Sequence, residues 1–396
     1  MPRSRDLYMN KLKLARDEPF IKIITGVRRC GKSTLLDLFE AYLLGSGVDR
    51  SNIVRLNLDS RLLRTSVRDG DALYDVVRSS MGPGRNYVLL DEIQNARDWE
   101  GGLISMYTDL DADIYVTGSN AVMQSPDIEA KLVGRYIEIH VLPLSFSEYL
   151  DFTGEAGDKG RAFEDYMKYG GFPAVALTKP ELRNTVMDGI YMTVLDLDVG
   201  VKNGIKDGAL LRDLAEYLMD NVGNTVSAKG ISDYLSSGGR ANSHTTIGNY
   251  LAMMERAFLL YRAPRYDVRG KVRLKTLGKY YVVDTGFRDL RIRPWSYDRG
   301  RVLENVAYLE LVRRGYSVDV GKVGIWEVDF IARKAKETIY VQVTYSMADP
   351  ATAEREMRPL MRIEDNHRKL VLCMDRFDGD HMGIEVKNIV EWLLSD

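Results

Sequence analysis

The chain has 396 residues, 45% of them hydrophobic and 28% charged, with a formal net charge of −2. That balance describes an ordinary globular protein of two to four domains; it argues against wholesale wrapping of nucleic acid but leaves room for a local basic patch. No run of 18 apolar residues offers a membrane span, the basic amino terminus lacks the apolar core of a signal peptide, and Cys30 and Cys373 show no metal spacing, so a cytoplasmic protein without a membrane partner is expected.

Residues 1–20 read as a leading helix. Ile21-Lys22-Ile23-Ile24 is an apolar, β-branched strand, and Leu35, Leu36, Phe39, Leu43 and Leu44 fall on one side of a helix. Between them lies Gly26-Val27-Arg28-Arg29-Cys30-Gly31-Lys32-Ser33, two glycines bracketing four residues, then a lysine and a hydroxyl. This is the template of a phosphate-binding loop in its required strand–loop–helix setting. Glycines let the backbone N–H groups of Gly26–Thr34 turn inward, where they and the helix terminus cradle anionic oxygens. Lys32 is placed to reach the β- and γ-phosphates of ATP and Ser33 to ligate Mg²⁺, with Thr34 beside it; Cys30 reads as a small filler.

The strand Tyr87-Val88-Leu89-Leu90 ends in Asp91-Glu92. Asp91 is the expected Mg²⁺ holder through water, and Glu92 the group that polarises the attacking water. A paired acid at a strand end points to a hydrolase rather than a passive nucleotide holder. The strand Asp113–Thr117 leads to Gly118-Ser119-Asn120, where Asn120, or failing it Ser119, orients the lytic water, unless the segment is a plain Asx turn. Arg135, before the alternating strand Tyr136–Val141, is either an arginine finger for a neighbouring copy or a surface arginine. Residues 21–145 thus carry five strand-like runs with helices between them, a parallel α/β sheet.

Residues 151–158 read as a loop and 160–200 as helices. From 207 to 290 the order is three helices and a hairpin, the winged-helix pattern. Between Arg262 and Lys279 there are seven basic residues and one acid. Arg269, Lys271, Arg273 and Lys275 alternate with Gly270, Val272 and Leu274, so one strand would line the four charges along one face for phosphate contact. Ser243, His244, Thr245 and Asn249 could reach bases; otherwise the unit packs between domains and its basic strand is merely solvated. After Arg301 come a helix (302–311), strands at 316–320, 327–331 and 338–344, a helix (350–362) and a strand (369–374).

These motifs resemble the AAA+ superfamily of P-loop ATPases, more narrowly a prokaryotic branch with a degenerate nuclease-like carboxy-terminal domain. The resemblance rests on 26–34, Leu-Leu-Asp-Glu-Ile-Gln (89–94), Thr-Gly-Ser-Asn (117–120), Gly-Arg-Tyr (134–136), Leu-Pro-Leu-Ser-Phe-Ser-Glu-Tyr-Leu (142–150), Tyr-Gly-Gly-Phe-Pro (169–173) and Glu-Val-Asp-Phe (327–330). It implies an α/β fold with a P-loop AAA+ core (1–150), a helical lid (151–206), a winged helix (207–292) and a small PD-(D/E)xK-like domain (293–396). It also implies that Pro173 touches the adenine, unless Gly171-Phe172-Pro173 is only a helix break. Glu304, Asp329 and Gln342 align with the nuclease metal positions, but Thr344 stands where the lysine should be. Nuclease activity is therefore not expected, unless Lys322 or Arg333 substitutes. The resulting expectation is a Mg²⁺-dependent ATPase, oligomeric if Arg135 acts in trans, doing work or switching on DNA. The alternatives are an ATP-gated protein-interaction switch and an ATP-gated nuclease.

Overall fold

A computed structural model describes residues 3–118, 131–239, 242–292, 294–376 and 379–395, with the backbone alone described at 275–277 and 295. Two compact units emerge, Met1–Val141 and Leu142–Asp396.

The first unit contains α1 (Asp6–Leu14), β1 (Ile21–Thr25), α2 (Lys32–Gly45), β2 (Ile53–Asn57), α3 (Arg61–Ser66), α4 (Gly70–Ser80), β3 (Asn86–Asp91), α5 (Trp99–Asp109), β4 (Ala112–Thr117) and β5 (Tyr136–His140). The leading helix is shorter than the sequence suggests, and Asp17 turns the chain with a left-handed φ of 63°. The five strands form a wholly parallel sheet in the order β2-β3-β4-β1-β5. Every residue of β1 and β3 is buried, as strands covered on both faces must be. One face packs Ile23, Val88, Leu90, Ile114 and Val116 against Leu73 and Val77 of α4 and Leu103 and Met106 of α5. On α2, Leu35, Leu36, Phe39 and Leu43 are the buried stripe, and Phe39 meets Tyr115 of β4 with ring centroids 4.6 Å apart.

Lys22 interrupts the apolar run of β1 yet is fully buried. Its ammonium donates to the Glu18 carbonyl at 2.7 Å and to the Asp113 carboxylate of β4. Asp113 also accepts the Asp17 N–H at 2.8 Å and the Tyr115 hydroxyl at 2.9 Å. A buried charge pair persists only when its remaining donors and acceptors are filled in this way.

The second unit opens with α6 (Phe146–Thr153), α7 (Lys159–Tyr169), α8 (Pro173–Ala176) and α9 (Pro180–Met192), which runs into a π-helical stretch, Thr193–Gly200. A capping box between Ser145 and Glu148 starts α6. Residues 142–150, grouped with the first domain by their motif, thus fold in the second unit. Next come α10 (Gly208–Asp220), β6 (Thr225–Val226), α11 (Ala228–Ser237), α12 (His244–Arg256), β7 (Leu260–Asp267), β8 (Val272–Val282) and α13 (Thr285–Arg291). The chain ends with α14 (Arg299–Arg313), β9 (Ser317–Val323), β10 (Trp326–Lys334), β11 (Glu337–Val343), α15 (Pro350–Met361), β12 (Arg368–Cys373), β13 (Gly379–His381), β14 (Ile384–Asn388) and α16 (Ile389–Leu394).

One nine-stranded mixed sheet joins these parts, in the order β13-β14-β12-β11-β10-β9-β7-β8-β6. β7 pairs antiparallel with β8 and parallel with β9, through Arg265 opposite Val320 and Asp267 opposite Lys322. The hairpin is therefore continuous with the carboxy-terminal sheet, across the boundary at 292 drawn from sequence.

Candidate active site

The phosphate loop lies between β1 and α2. Gly26 (φ 143°), Arg29 (φ 69°) and Gly31 (φ 103°) all take positive φ. A side chain at position 26 would strike the Val141 carbonyl and come within 2.8 Å of Cys30 Sγ, so glycine is required there on both counts. Val27 and Cys30 are buried and contribute packing and backbone only. Arg5 braces the loop from behind, donating from Nη1 to the Cys30 carbonyl at 2.9 Å. Lys32 folds back over the loop, with Nζ 2.7 Å from the Gly26 carbonyl and 3.1 Å from that of Val27. Ser33 and Thr34 are exposed, and no side chain caps the first turn of α2. Its N–H groups are thus left to an anion.

Two strands away, β3 delivers Asp91 and Glu92. Asp91 is buried, accepts a short hydrogen bond from the Thr117 hydroxyl, and lies 3.6 Å from Arg55 Nη2. Glu92 turns out of the strand at φ 55°, its N–H donating to Thr117 Oγ1 at 3.0 Å and its carboxylate accepting from Gln94 Nε2 at 2.5 Å. Thr117 is the polar residue that sequence reasoning missed. It ends β4, the strand between β1 and β3, and holds both members of the acidic pair. Its place in Thr-Gly-Ser-Asn was the available signal, but the expectation settled on the two residues after the strand. Those, Ser119 and Asn120, lie outside the described residues.

Arg135 is exposed, and its carbonyl accepts from Ile21 N–H at the start of β1. In a parallel sheet this is the edge opposite the phosphate loop, about 20 Å away over six residues of strand. Arg135 does not reach the phosphate loop of its own chain. Pro173 begins α8, and the glycines before it serve the second unit. Asp284 Oδ2 accepts the Gly171 N–H at 2.7 Å and Oδ1 the Gly286 N–H at 2.9 Å. Burial pushes the Asp284 carboxyl up to about 7, against the backbone donors Gly171, Gly286 and Phe172. Gly170 (φ 68°) has the carboxylate where a Cβ would sit.

The expected row of four cations on one strand face is not formed. Arg269 and Lys271 occupy the turn between β7 and β8, where the Asp267 carboxylate accepts the N–H groups of Arg269 and Gly270 at 3.0 and 2.9 Å. Lys271 takes φ 51°. Arg273 is on β8, but its Nε donates to the buried Asp319 at 2.9 Å. The side chain of Lys275 lies outside the described atoms. The alternation fails as a strand signal because a tight turn consumes its first half.

A second constellation lines a cleft of about 520 Å³ in the carboxy-terminal sheet, with Glu304, Glu327, Asp329, Gln342, Thr344 and Glu356 among its walls. Lys279 reaches it from β8. Its Nζ lies 2.9 Å from Glu304, 2.8 Å from Glu327 and 3.3 Å from Asp329. Burial opposes the charged amine, but Glu304, Asp329 and Glu327 together hold its pKa above the ordinary lysine value. Burial first and then Glu304 push Asp329 up to about 7, against Lys279 and the Val343 N–H. Gln342 is spent on the Asp329 N–H at 3.1 Å and on Glu356 at 2.9 Å. These residues do not fit a divalent ion, because an ammonium already sits among the carboxylates. Neither Lys322 nor Arg333 lines this cleft, and Arg333 is tied to Asp319 at 2.7 Å. Sequence reasoning missed Lys279 because it precedes Asp329 by 50 residues and was counted within the basic stretch.

Residues 18–150 match the family described as AAA domain, and residues 160–293 match a domain of unknown function, DUF8612. A protein of Haemophilus influenzae, described as uncharacterized, is 39% identical over 99% of this chain and 98% of its own length. A second uncharacterized protein, from Methanocaldococcus jannaschii, is 27% identical over 95% of this chain and 88% of its own. Among solved structures, a Walker-type ATPase of Pyrococcus abyssi aligns with 72% of this chain and 95% of its own, at a TM-score of 0.45 and 16% identity. The chain belongs to the same family as the Haemophilus influenzae protein, and its residues 18–150 match the AAA domain.

Proposed function

We propose that the protein binds and hydrolyses ATP with Mg²⁺ and that turnover drives conformational work or switching on DNA. The observation that carries this reading is the phosphate loop with its lysine, uncapped helix terminus and facing acidic pair in one parallel sheet. In this reading Lys32 leaves the Gly26 and Val27 carbonyls for the β- and γ-phosphates, and the N–H groups of α2 hold the same oxygens. Ser33 and Asp91 have the hard oxygen donors that Mg²⁺ requires; bound there, the ion would neutralise phosphate charge. Glu92 accepts a proton from the attacking water, held in place by Thr117 and Gln94. Arg135 serves the site of a neighbouring copy, which makes the working form a homo-oligomer; its position at the opposite edge of the sheet supports this role.

The order helix, short strand, two helices and hairpin supports a winged helix over 207–292. Arg269 and Lys271 on the hairpin turn are its phosphate-contacting cations, and His244, Thr245 and Asn249 lie in the first turns of α12. Arg273 is left a smaller part, since Asp319 offsets its charge. The pairing of β7 with β9 favours one competing reading, an ATP-gated protein-interaction switch in which the hairpin is only a sheet element. ATP hydrolysis measured with and without duplex DNA, with Glu92→Gln as the blank, separates the two. Stimulation that fades with salt supports work on DNA. Turnover indifferent to DNA favours the protein partner.

A further inference from the structure

A separate cleft of about 690 Å³ opens between the β7–β8 turn and the carboxy-terminal end of α15. Arg269 and Lys271 line one side; Arg362 and His367 line the other, with Arg333 among its walls. Arg269, Lys271, Arg362 and His367 are all exposed. Against the four cations Arg269, Lys271, Arg333 and Arg362, the lining holds two acids, Glu364 and Asp365. The cleft is therefore cationic in a chain whose net charge is −2.

Its floor carries a platform. The Arg333 guanidinium carbon lies 3.9 Å from the centre of the Tyr266 ring, and Asp319 fixes the guanidinium by a 2.7 Å bond. The buried Asp319 is in turn shared with Arg273. A guanidinium plane backed by a tyrosine and anchored at its edge is a surface on which a nucleobase stacks. Cations on two sides of such a platform match a single polynucleotide strand, whose phosphates track a positive groove while its bases stack on planar groups. A cleft of this volume is in the size range of small-ligand sites and has room for a base and its flanking phosphates.

We infer that this cleft binds a short stretch of single-stranded polynucleotide, with Arg269, Lys271, Arg362 and His367 on the phosphates and the Tyr266–Arg333 pair under a base. The inference rests on the DNA reading above but places the strand at the sheet, outside the three helices of the winged-helix segment.

The test is fluorescence anisotropy on the full chain, using an oligothymidylate and an oligouridylate of about 15 nucleotides and a DNA duplex of equal length. Wild type is compared with Lys271→Glu/Arg362→Glu, two exposed positions on opposite walls. The expected result is at least a tenfold loss of single-strand affinity and a salt slope shallower by about 0.7 for each phosphate contact removed; Arg362→Glu alone, which lies outside the hairpin, should weaken the single strand and leave duplex affinity within about twofold. The deoxy and ribo arms show which strand is preferred. Thermal melting checks the fold, and Lys271→Ala/Arg362→Ala takes over if the reversed pair is unstable. Unchanged single-strand affinity in the variants, or no single-strand binding by wild type, overturns the inference. ATP hydrolysis is measured alongside. Duplex-stimulated turnover with unchanged single-strand binding sinks the cleft and keeps the DNA reading. Single-strand binding lost in the variant, without stimulation of turnover by any DNA, keeps the cleft and sinks work on DNA.

Discussion

Replacing Lys279 by Met removes an ammonium that three carboxylates surround at 2.8 to 3.3 Å. At an effective dielectric constant near 20, each such contact is worth about 5 kcal/mol gross. Desolvation of the amine takes much of this back, and breaking a buried pair by removing one partner costs about 3–5 kcal/mol net. At about 2–4 °C per kcal/mol for a unit of this size, the melting temperature should fall by roughly 10 °C at pH 8. The loss also depends on pH. Asp329 already sits near 7, above its unfolded value, and Lys279 is one of the groups holding it down. A carboxyl with a raised folded pKa contributes stability that is fully present below the unfolded pKa, near 3.8, and is lost as pH rises through the folded one. Without Lys279 that folded pKa moves further up, so the variant should recover part of its deficit at pH 5. Differential scanning calorimetry at pH 5 and pH 8 reads both effects. A variant that melts with wild type at pH 8, or whose deficit does not change with pH, refutes the counter-ion role of Lys279.

Three further outcomes are expected. Lys32→Ala should lose nucleotide binding, and Glu92→Gln should keep it while turnover falls at least a hundredfold; equilibrium binding and phosphate release read the two, and unchanged turnover in Glu92→Gln refutes its assignment. Thr117→Val keeps the shape of β4 but leaves Asp91 and the Glu92 N–H without their shared partner. Leaving a buried polar group unsatisfied costs about 1–3 kcal/mol, so the first unit should melt several degrees lower and turnover should drop roughly tenfold or more; wild-type turnover would show that Thr117 does not position the acidic pair. Gly170→Ala should destabilise the second unit by about 1–3 kcal/mol through positive φ alone, and more because Asp284 occupies the Cβ position. Melting at the wild-type temperature would mean that Asp284 can step aside.

The sequence made the first unit legible because a parallel sheet buries its central strands on both faces and so writes them as largely apolar runs. Tyr87–Leu90 is such a run, Ile21–Thr25 is one broken by the ion-paired Lys22, and the residues that leave their ends are the chemical ones. Long-range pairing is not written in that way. The neighbour of β7 is β9, more than 50 residues later in the chain, and nothing local in Arg262–Lys275 announces it. The same holds for Lys279, whose partners Glu304 and Asp329 sit on α14 and β10. In Tyr169–Pro173 the glycines were legible as a motif, but what they make room for is distant in the chain: the Asp284 carboxylate at Gly170 and the Leu144 carbonyl at Gly171.

Three independent ties bind the hairpin to the carboxy-terminal sheet: the parallel pairing of β7 with β9, the Arg273–Asp319 bridge, and the Lys279 cluster. Cutting any one exposes or strands buried polar groups, so the sheet from β6 to β13 is expected to move as one body. The two walls of the cationic cleft both belong to that body. One is the β7–β8 turn, and the other follows α15, which packs on β10, β11 and β14. A hinge between hairpin and sheet is therefore not expected to open and close the cleft, and Arg333, anchored by Asp319, is its fixed charge. Single-strand affinity should then change by less than about threefold between nucleotide-free protein and protein saturated with a non-hydrolysable ATP analogue, since a ligand shifts only equilibria whose states it binds differently. Anisotropy titrations in the Glu92→Gln background, with and without the analogue, measure this. A tenfold or larger change would refute the rigid body.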